Sequence, residues 1–229
     1  MPFSIIIISV LFMIIGMVVQ ARLKSKFKQY SLVPTSSGLS GKEVAEKMLS
    51  DNGIHDVSVV SVPGFLSDHY DPTKKTVNLS ADVYSGRNVS AAAVAAHECG
   101  HAVQHATAYS MLKLRSAIVP VVQISSKLSQ WVIIIGLGLF TVGGGNPTVL
   151  LIGIILFAAS TLFSVITLPV EFDASSRALK WLDSSHIMFG EEHEKAKDAL
   201  KWAALTYVVA ALASIAMLLQ YIMIYNDRR

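Results

Sequence analysis

Long apolar runs dominate the pattern of hydrophobic and polar positions along this chain. Residues 2–21 and 148–168 contain no charged residue, and residues 203–225 contain a single glutamine as their only strongly polar side chain. Each run has the roughly 20 residues that a helix needs to cross a bilayer. The pattern therefore predicts a transmembrane helix for each run, and the first and last of these helices account for segments 1–21 and 203–229.

A fourth apolar run, residues 131–142, is too short to span a bilayer by itself. It reaches the necessary length if its helix begins near Ala117, although the helix then includes Lys127 and two glutamines. The glycine-rich segment 143–147 that follows is typical of a turn. Residues 117–168 are therefore predicted to form a transmembrane helical hairpin.

Basic residues indicate the orientation of these helices. They cluster in segments 22–28, 113–115 and 177–201, whereas the predicted turn at 143–147 has none. Cytoplasmic loops of membrane proteins carry an excess of Lys and Arg, so the basic segments are expected to face the cytoplasm. The first apolar run has its positive charges after it, which favours a retained anchor over a cleaved signal peptide. We expect a multi-pass protein of a bacterial cell membrane, with residues 22–116 on the cytoplasmic side.

Residues 22–116 have the mixed pattern of a small soluble part. Ser40 and Glu43 have the spacing of a helix capping box. Segments in which apolar and polar residues alternate follow the capping box and predict strands. An alanine-rich run comes next and predicts a second helix, with Ser90 as its expected N-cap. The predicted elements are, in order, a helix at 41–50, strands at 54–62 and 75–80, and a helix at 90–107.

The composition agrees with a membrane protein. The chain is 52% hydrophobic and 15% charged, whereas a soluble domain has about 25% charged residues. The predicted fold class is thus a mainly α membrane protein with about four transmembrane helices and a small α+β part. The net charge of +3 follows from the basic segments and does not indicate nucleic-acid binding. The single cysteine, Cys99, excludes an internal disulfide and is expected to be a small buried residue.

The sequence H-E-x-x-H at residues 97–101 carries the candidate chemistry. On a helix, His97 and His101 lie four residues apart on one face and can hold one Zn²⁺ between them. Glu98 lies beside the open position of such a metal, where it can take a proton from a zinc-bound water and pass it to a leaving amine. The expected cofactor is one Zn²⁺ per chain.

A catalytic zinc site usually has three protein ligands, so a further ligand is expected from another element. Glu171 is the first candidate, because an acidic residue directly after an apolar span needs a partner such as a metal. Asp173 is the next choice, followed by His186 and His193. Glu171 could instead be a first-turn carboxylate that the dipole of a following helix stabilises.

Five parts of the chain together resemble the YugP-type membrane zinc metallopeptidases: an N-terminal anchor, the segments 68–72 and 79–80, the H-E-x-x-H helix and residues 168–175. More distantly, the chain is similar to the HtpX and CAAX-protease group. That resemblance implies a zincin-like catalytic domain over residues 22–116 and a third zinc ligand within residues 169–202, at Glu171. In that group the third ligand is the Glu of a pattern E-x-x-A-D, and the final Asp of the pattern supports a histidine ligand. Ser175 stands at the position of that Asp in this chain. Asp173 or another carboxylate is therefore expected to orient a histidine instead.

The sequence-based hypothesis for function is a membrane-embedded, zinc-dependent endopeptidase of the gluzincin type. Glu98 would serve as general base, and a zinc-activated water would attack the peptide bond. The expected partners are a peptide or membrane-protein substrate and the lipid bilayer, with no nucleic acid. A bound peptide is expected along the edge of the 75–80 strand. The residues that could stabilise the oxyanion are Tyr84, Arg177, His186 and His193.

Two other functions fit parts of the sequence. A non-catalytic chaperone or scaffold protein with a structural zinc fits the composition but does not explain why Glu98 follows the first histidine. A metal transporter would need polar ligands within several spans, and these spans are nearly bare of them. Substrate identity, the depth of cleavage relative to the bilayer and oligomeric state stay open at this stage.

Overall fold

The computed structural model describes the backbone of residues 2–141 and 147–227. Within these ranges the chain forms seven helices and three strands. In chain order they are α1 (Pro2–Tyr30), α2 (Gly41–Asp51), β1 (Ser58–Val62), β2 (His69–Asp71), β3 (Thr76–Ser80), α3 (Ala81–Ser85), α4 (Val89–Ala106), α5 (Ser110–Thr141), α6 (Pro147–Ser184) and α7 (Glu191–Asn226).

The four longest helices, α1, α5, α6 and α7, each contain a stretch long and apolar enough to cross a membrane. This confirms a mainly helical protein with four candidate membrane-spanning helices and a small sheet. Every one of these helices is longer than the predicted span, and α5 begins at Ser110 rather than near Ala117. Of the predicted turn at 143–147, only Pro147 lies within the described residues, and it is the first residue of α6.

The contacts divide the chain into two compact units. The helical unit comprises the described residues of 1–18, 114–168 and 206–229. Its core includes the side chain of Leu150, which is fully buried. Gly136 and Gly153 allow α5 and α6 to pack closely, because a Cβ at Gly136 would lie 2.8 Å from Leu150 Cα.

The mixed unit comprises residues 19–113 and 169–205 and contains the three-stranded sheet. Strand order is β1-β3-β2, with β1 parallel and β2 antiparallel to β3. The sequence pattern did not indicate β2 or α3, and the first strand begins at Ser58 rather than at residue 54. Because β3 is the central strand, the expectation that a peptide binds along the edge of the 75–80 strand is wrong. The outer strands of the sheet are β1 and β2.

Helix caps agree with the sequence at α2 and differ from it at α4. Ser40 and Glu43 form the predicted capping box at the start of α2. At α4 the N-cap is Asn88, whose side chain accepts a hydrogen bond from the backbone N–H of Ala91, so the assignment of Ser90 as N-cap is wrong. Ser90 is the second residue of the helix, and its hydroxyl donates to the same Asn88 side chain.

Helix α6 runs from residue 147 to residue 184 without a break, although it contains Pro169. The proline costs one backbone hydrogen bond within the helix, and this loss does not end it. Glu171 therefore lies deep inside a long helix. The alternative interpretation, a carboxylate in the first turn of a new helix, is wrong.

Candidate metal centre

Three side chains from α4 and α6 converge within the mixed unit. The Nε2 atoms of His97 and His101 lie 3.4 Å and 3.6 Å from Glu171 Oε2. One potential ligand atom of each residue lies within 4.8 Å of the other two. Glu171 is only 3% exposed and His101 9%. Among the described residues no other group of His, Cys, Asp and Glu side chains has this arrangement.

The spacing of these atoms fits a zinc ion better than it fits a direct hydrogen bond. In a tetrahedral site with Zn–N and Zn–O distances of about 2.0–2.2 Å, neighbouring ligand atoms lie roughly 3.3–3.5 Å apart. The observed 3.4 Å and 3.6 Å are close to that range. An ordinary N–H···O hydrogen bond would be about 2.7–3.2 Å long. Two imidazole nitrogens and one carboxylate oxygen are also a ligand set that zinc commonly takes.

A glycine inside the H-E-x-x-H sequence allows α4 and α6 to approach each other closely. A Cβ at Gly100 would lie 2.5 Å from the backbone oxygen of Ala174, a distance that atoms in proteins do not tolerate. Ala174 itself is fully buried. This contact holds the helix with the two histidines against the segment with Glu171, so the backbone defines the distance between them.

Gln104 fixes the orientation of His101. Its side-chain Nε2 donates to the backbone oxygen of Val170 at 2.7 Å and to Asp173 Oδ2 at 2.8 Å. The amide oxygen is therefore left to accept a hydrogen bond from His101 Nδ1, 3.0 Å away. With its proton on Nδ1, His101 presents the lone pair of Nε2 towards Glu171, as a metal ligand requires.

Ser175 occupies the corresponding position beside His97. Its hydroxyl lies 3.1 Å from His97 Nδ1 and can accept the proton of that nitrogen. A neutral hydroxyl thus stands where the E-x-x-A-D pattern has an acidic residue. Asp173 contacts neither histidine through a hydrogen bond in the described part of the chain; it supports His101 through Gln104 and also accepts from Arg177 Nε at 2.6 Å.

Comparison with known proteins agrees with this geometry. A family model described as "Putative neutral zinc metallopeptidase" matches residues 5–226. The chain belongs to this family. It is also 45% identical over 210 residues to "Putative membrane protease YugP" of Bacillus subtilis (strain 168), an alignment that covers 92% of this chain and 91% of that protein. No solved structure matches the chain. The resemblance inferred from the sequence motifs is thereby confirmed.

In this zinc-peptidase family member, Glu98 is buried beside the two histidines. Burial raises the pKa of the Glu98 carboxyl; the two histidines oppose that shift, and the carboxylates of Glu171 and Asp68 add to it. A carboxyl group whose pKa is raised holds a proton more readily than an ordinary glutamate, which suits a group that accepts and then delivers one.

The other residues proposed from sequence lie outside the group of three. The Arg177 guanidinium is held by Asp173 and lies over the ring of Tyr109, at 5.7 Å from its centroid. Tyr84 has the Lys42 ammonium over its ring at 5.7 Å.

The histidines after α6 and at the end of α4 also have other surroundings. His186 is exposed in the turn after α6, with a φ of 56°. His193 has a buried Nδ1 without a hydrogen-bond partner among the described residues and lines a cavity between α6 and α7. His105 is exposed, and its Nδ1 lies 2.9 Å from the hydroxyl of Tyr70 in β2.

Two contributors to this centre did not emerge from the sequence. Gln104 lies three residues after His101 and so shares a helix face with it, which is a signal that could have identified it. Gly100 is an unspecified position of the H-E-x-x-H pattern, and only the neighbouring backbone of Ala174 reveals its importance. Cys99, as predicted, is buried away from the histidines, with its Sγ 3.5 Å from the backbone oxygen of Ala45.

Proposed function

We propose that the protein is a membrane-embedded, zinc-dependent endopeptidase of the gluzincin type, with one Zn²⁺ held by His97, His101 and Glu171. The observation that carries the proposal is the convergence of these three side chains, with both histidine Nε2 atoms 3.4 Å and 3.6 Å from Glu171 Oε2 and Glu98 buried next to them. The family to which the chain belongs, described as "Putative neutral zinc metallopeptidase", supports the same conclusion.

In the proposed mechanism the protein supplies proton transfer and orientation. A zinc ion bound by the three ligands would activate a water molecule and polarise the carbonyl of the scissile peptide bond. Glu98 takes a proton from the attacking water and then delivers it to the nitrogen of the leaving amine. Gln104 and Ser175 keep both histidines in the tautomer that leaves Nε2 free to bind metal.

For the substrate, we propose pairing with the outer edge of β2. An extended peptide can add a strand to an exposed sheet edge through main-chain hydrogen bonds. Of the two outer strands, β2 is the one whose Tyr70 contacts His105 at the end of α4. A peptide on this edge would run beside the helix that carries Glu98.

Stabilisation of the developing oxyanion is assigned to the metal and to one side chain. Tyr84, Arg177, His186 and His193 are the candidates from the sequence. We favour Arg177, because it is linked to His101 through Asp173 and Gln104. A donor held in a fixed position stabilises the oxyanion because its charge is already oriented before the reaction begins.

The alternative function, a non-catalytic chaperone or scaffold protein with a structural zinc, is less well supported. Structural zinc sites are almost always closed by four protein ligands. The residues that the structure describes bring together three, His97, His101 and Glu171. Three ligands leave a position for water, which is the arrangement of catalytic sites.

The test of the proposed function is a Glu98→Gln variant in the full-length, detergent-purified protein. It should keep its zinc content and lose roughly 10²–10⁴-fold in peptide hydrolysis, because the amide cannot accept the proton of the attacking water. Glu46→Gln, on the exposed face of α2, is the matched control and should retain activity. Undiminished hydrolysis by Glu98→Gln would refute its assignment as general base.

A further inference from the structure

A cavity of about 540 Å³ lies in the mixed unit, beside the start of strand β2. The last turns of α1, the loop before β2, the short helix α3 and the first turn of α4 surround it. We propose that this cavity receives a large apolar side chain of the peptide substrate and so determines which peptides the protein cleaves. The proposal rests on the endopeptidase function proposed above, and its test separates the two.

The cavity lies on the same face of α4 as the proposed catalytic residues. Ser90 and Ala91, which line it, come seven residues before His97 and Glu98, respectively. Seven residues make about two turns of a helix, so each pair shares a face and lies about 10 Å apart along the axis. An extended peptide covers that distance with about three residues.

Strand β2 links the cavity to the other end of α4. Asp68, in the cavity lining, directly precedes β2, and Tyr70 within β2 contacts His105 at the end of α4. The two histidines of the H-E-x-x-H sequence lie between these points along the helix. The Asp68 carboxylate is also close enough to Glu98 to contribute to the raised pKa of that carboxyl. A peptide paired with the edge of β2 would pass the metal centre and place one side chain at the cavity, within about three residues of the cleaved bond.

The lining of the cavity favours a neutral, apolar side chain. Its charged residues are two lysines and two aspartates, Lys24, Lys28, Asp68 and Asp82. Because these charges balance, the cavity favours neither an anion nor a cation. Phe27, Leu66 and Val83 form apolar walls, and the volume falls within the roughly 300–1,000 Å³ of ordinary ligand sites. An aromatic side chain or a leucine fits this lining.

Phe65 indicates that the cavity takes an occupant from outside the chain. Its side chain lines the cavity and is 61% exposed, so folding leaves much of its apolar surface in contact with water. Both neighbours have a positive φ, 107° at Gly64 and 56° at Leu66. That conformation is strained for a bulky residue such as leucine, and such strain clusters at ligand-binding segments. This backbone holds Phe65 at the cavity, where a bound side chain would cover its ring.

The test measures the cleavage preference of the zinc-loaded, full-length protein in detergent. A degenerate peptide library, analysed by mass spectrometry after cleavage, should show Phe and Leu enriched at one position within about three residues of the cleaved bond. Two peptides that carry Phe or Ala at this position then give a ratio of kcat/KM values. In Phe65→Ala this ratio should fall about tenfold, because the apolar side chain loses part of its pocket. Ser85→Trp, which adds a large side chain at an exposed position of the lining, should lower the ratio as well.

The matched control is Phe189→Ala, which removes a similarly exposed aromatic side chain outside this cavity and should keep the wild-type ratio. A wild type that cleaves peptides without a preference for a large apolar residue at these positions would overturn the subsite and leave the endopeptidase function intact. A preference that survives both Phe65→Ala and Ser85→Trp, or that Phe189→Ala lowers equally, would overturn the subsite too. A wild type that cleaves no peptide of the library would overturn the proposed function and the subsite together.

Discussion

At the scale of single residues, Gln104 supports the proposed centre without binding the metal itself. It is fully buried and bonds at once to His101, to the backbone of Val170 and to Asp173. Because both hydrogens of its amide are used on acceptors, the oxygen must face the histidine. Asp173 and Arg177 then act on His101 through this one amide.

Replacement of Gln104 by leucine should weaken zinc binding by roughly 10–100-fold, because His101 loses the partner that fixes its tautomer. The exchange keeps the volume of the side chain similar, so a folded protein is expected. Zinc affinity is measured by competition with a chromogenic chelator. His105→Gln, one residue further along and exposed, is the control and should bind zinc as the wild type does. An affinity of Gln104→Leu within twofold of the wild type would contradict this role.

At the scale of elements, the centre depends on two helices whose separation is set by backbone contact. Gly100 lies against Ala174, and the two proposed histidine ligands on α4 face Glu171 across that contact. Helix α6 reaches this place because it continues past Pro169. Prolines are tolerated in transmembrane helices, where neighbouring groups satisfy the freed backbone oxygen.

Gly100→Ala should lower zinc affinity at least tenfold and reduce thermal stability. Its methyl group would lie 2.5 Å from the oxygen of Ala174 and would push the helices apart by more than the ~0.2 Å that a zinc–ligand bond tolerates. Gly16→Ala, where a Cβ meets no atom within 4 Å, is the control and should be neutral. Wild-type zinc affinity in Gly100→Ala would show that the contact does not set the ligand distances.

The sequence predicted the elements with strong local signals and missed those that depend on tertiary contacts. The capping box located the start of α2, and the alanine-rich run located α4. Strand β2 has only three residues and is formed by pairing with β3. Three residues are too few to show the alternation of apolar and polar positions that predicts a strand. Ser90 and Asn88 are both good N-cap residues, and the choice between them depends on backbone conformation.

At the scale of the whole molecule, four apolar helices and a small mixed unit agree with the description of the 45% identical Bacillus subtilis relative, "Putative membrane protease YugP". The sequence predicted this arrangement because apolar length is a reliable signal for membrane helices. It could not predict that α5, α6 and α7 extend well beyond the apolar runs. The helical turns that continue each helix past its apolar run are polar, and no sequence pattern marked them as helix.

The basic segments predict an orientation in the membrane that places the proposed active site on the cytoplasmic side. A cysteine introduced at Asn146, in a Cys99→Ala background, should react with a membrane-impermeant maleimide in intact cells. A cysteine at Thr73, exposed between β2 and β3, should react only after the cells are permeabilised. The reverse pattern would place the proposed active site outside the cytoplasm.

Zinc content of the purified protein tests the central claim most directly. The wild type should contain about one Zn²⁺ per chain by elemental mass spectrometry. The variants His97→Ala and His101→Ala should lose the zinc. The variants Glu171→Ala and Glu171→Asp should bind zinc at least tenfold more weakly. The control is Asp183→Ala, which removes an exposed carboxylate on the same helix as Glu171 and should retain the zinc. Unchanged zinc affinity after removal of the Glu171 carboxylate, or a wild type that binds no zinc, would contradict the account.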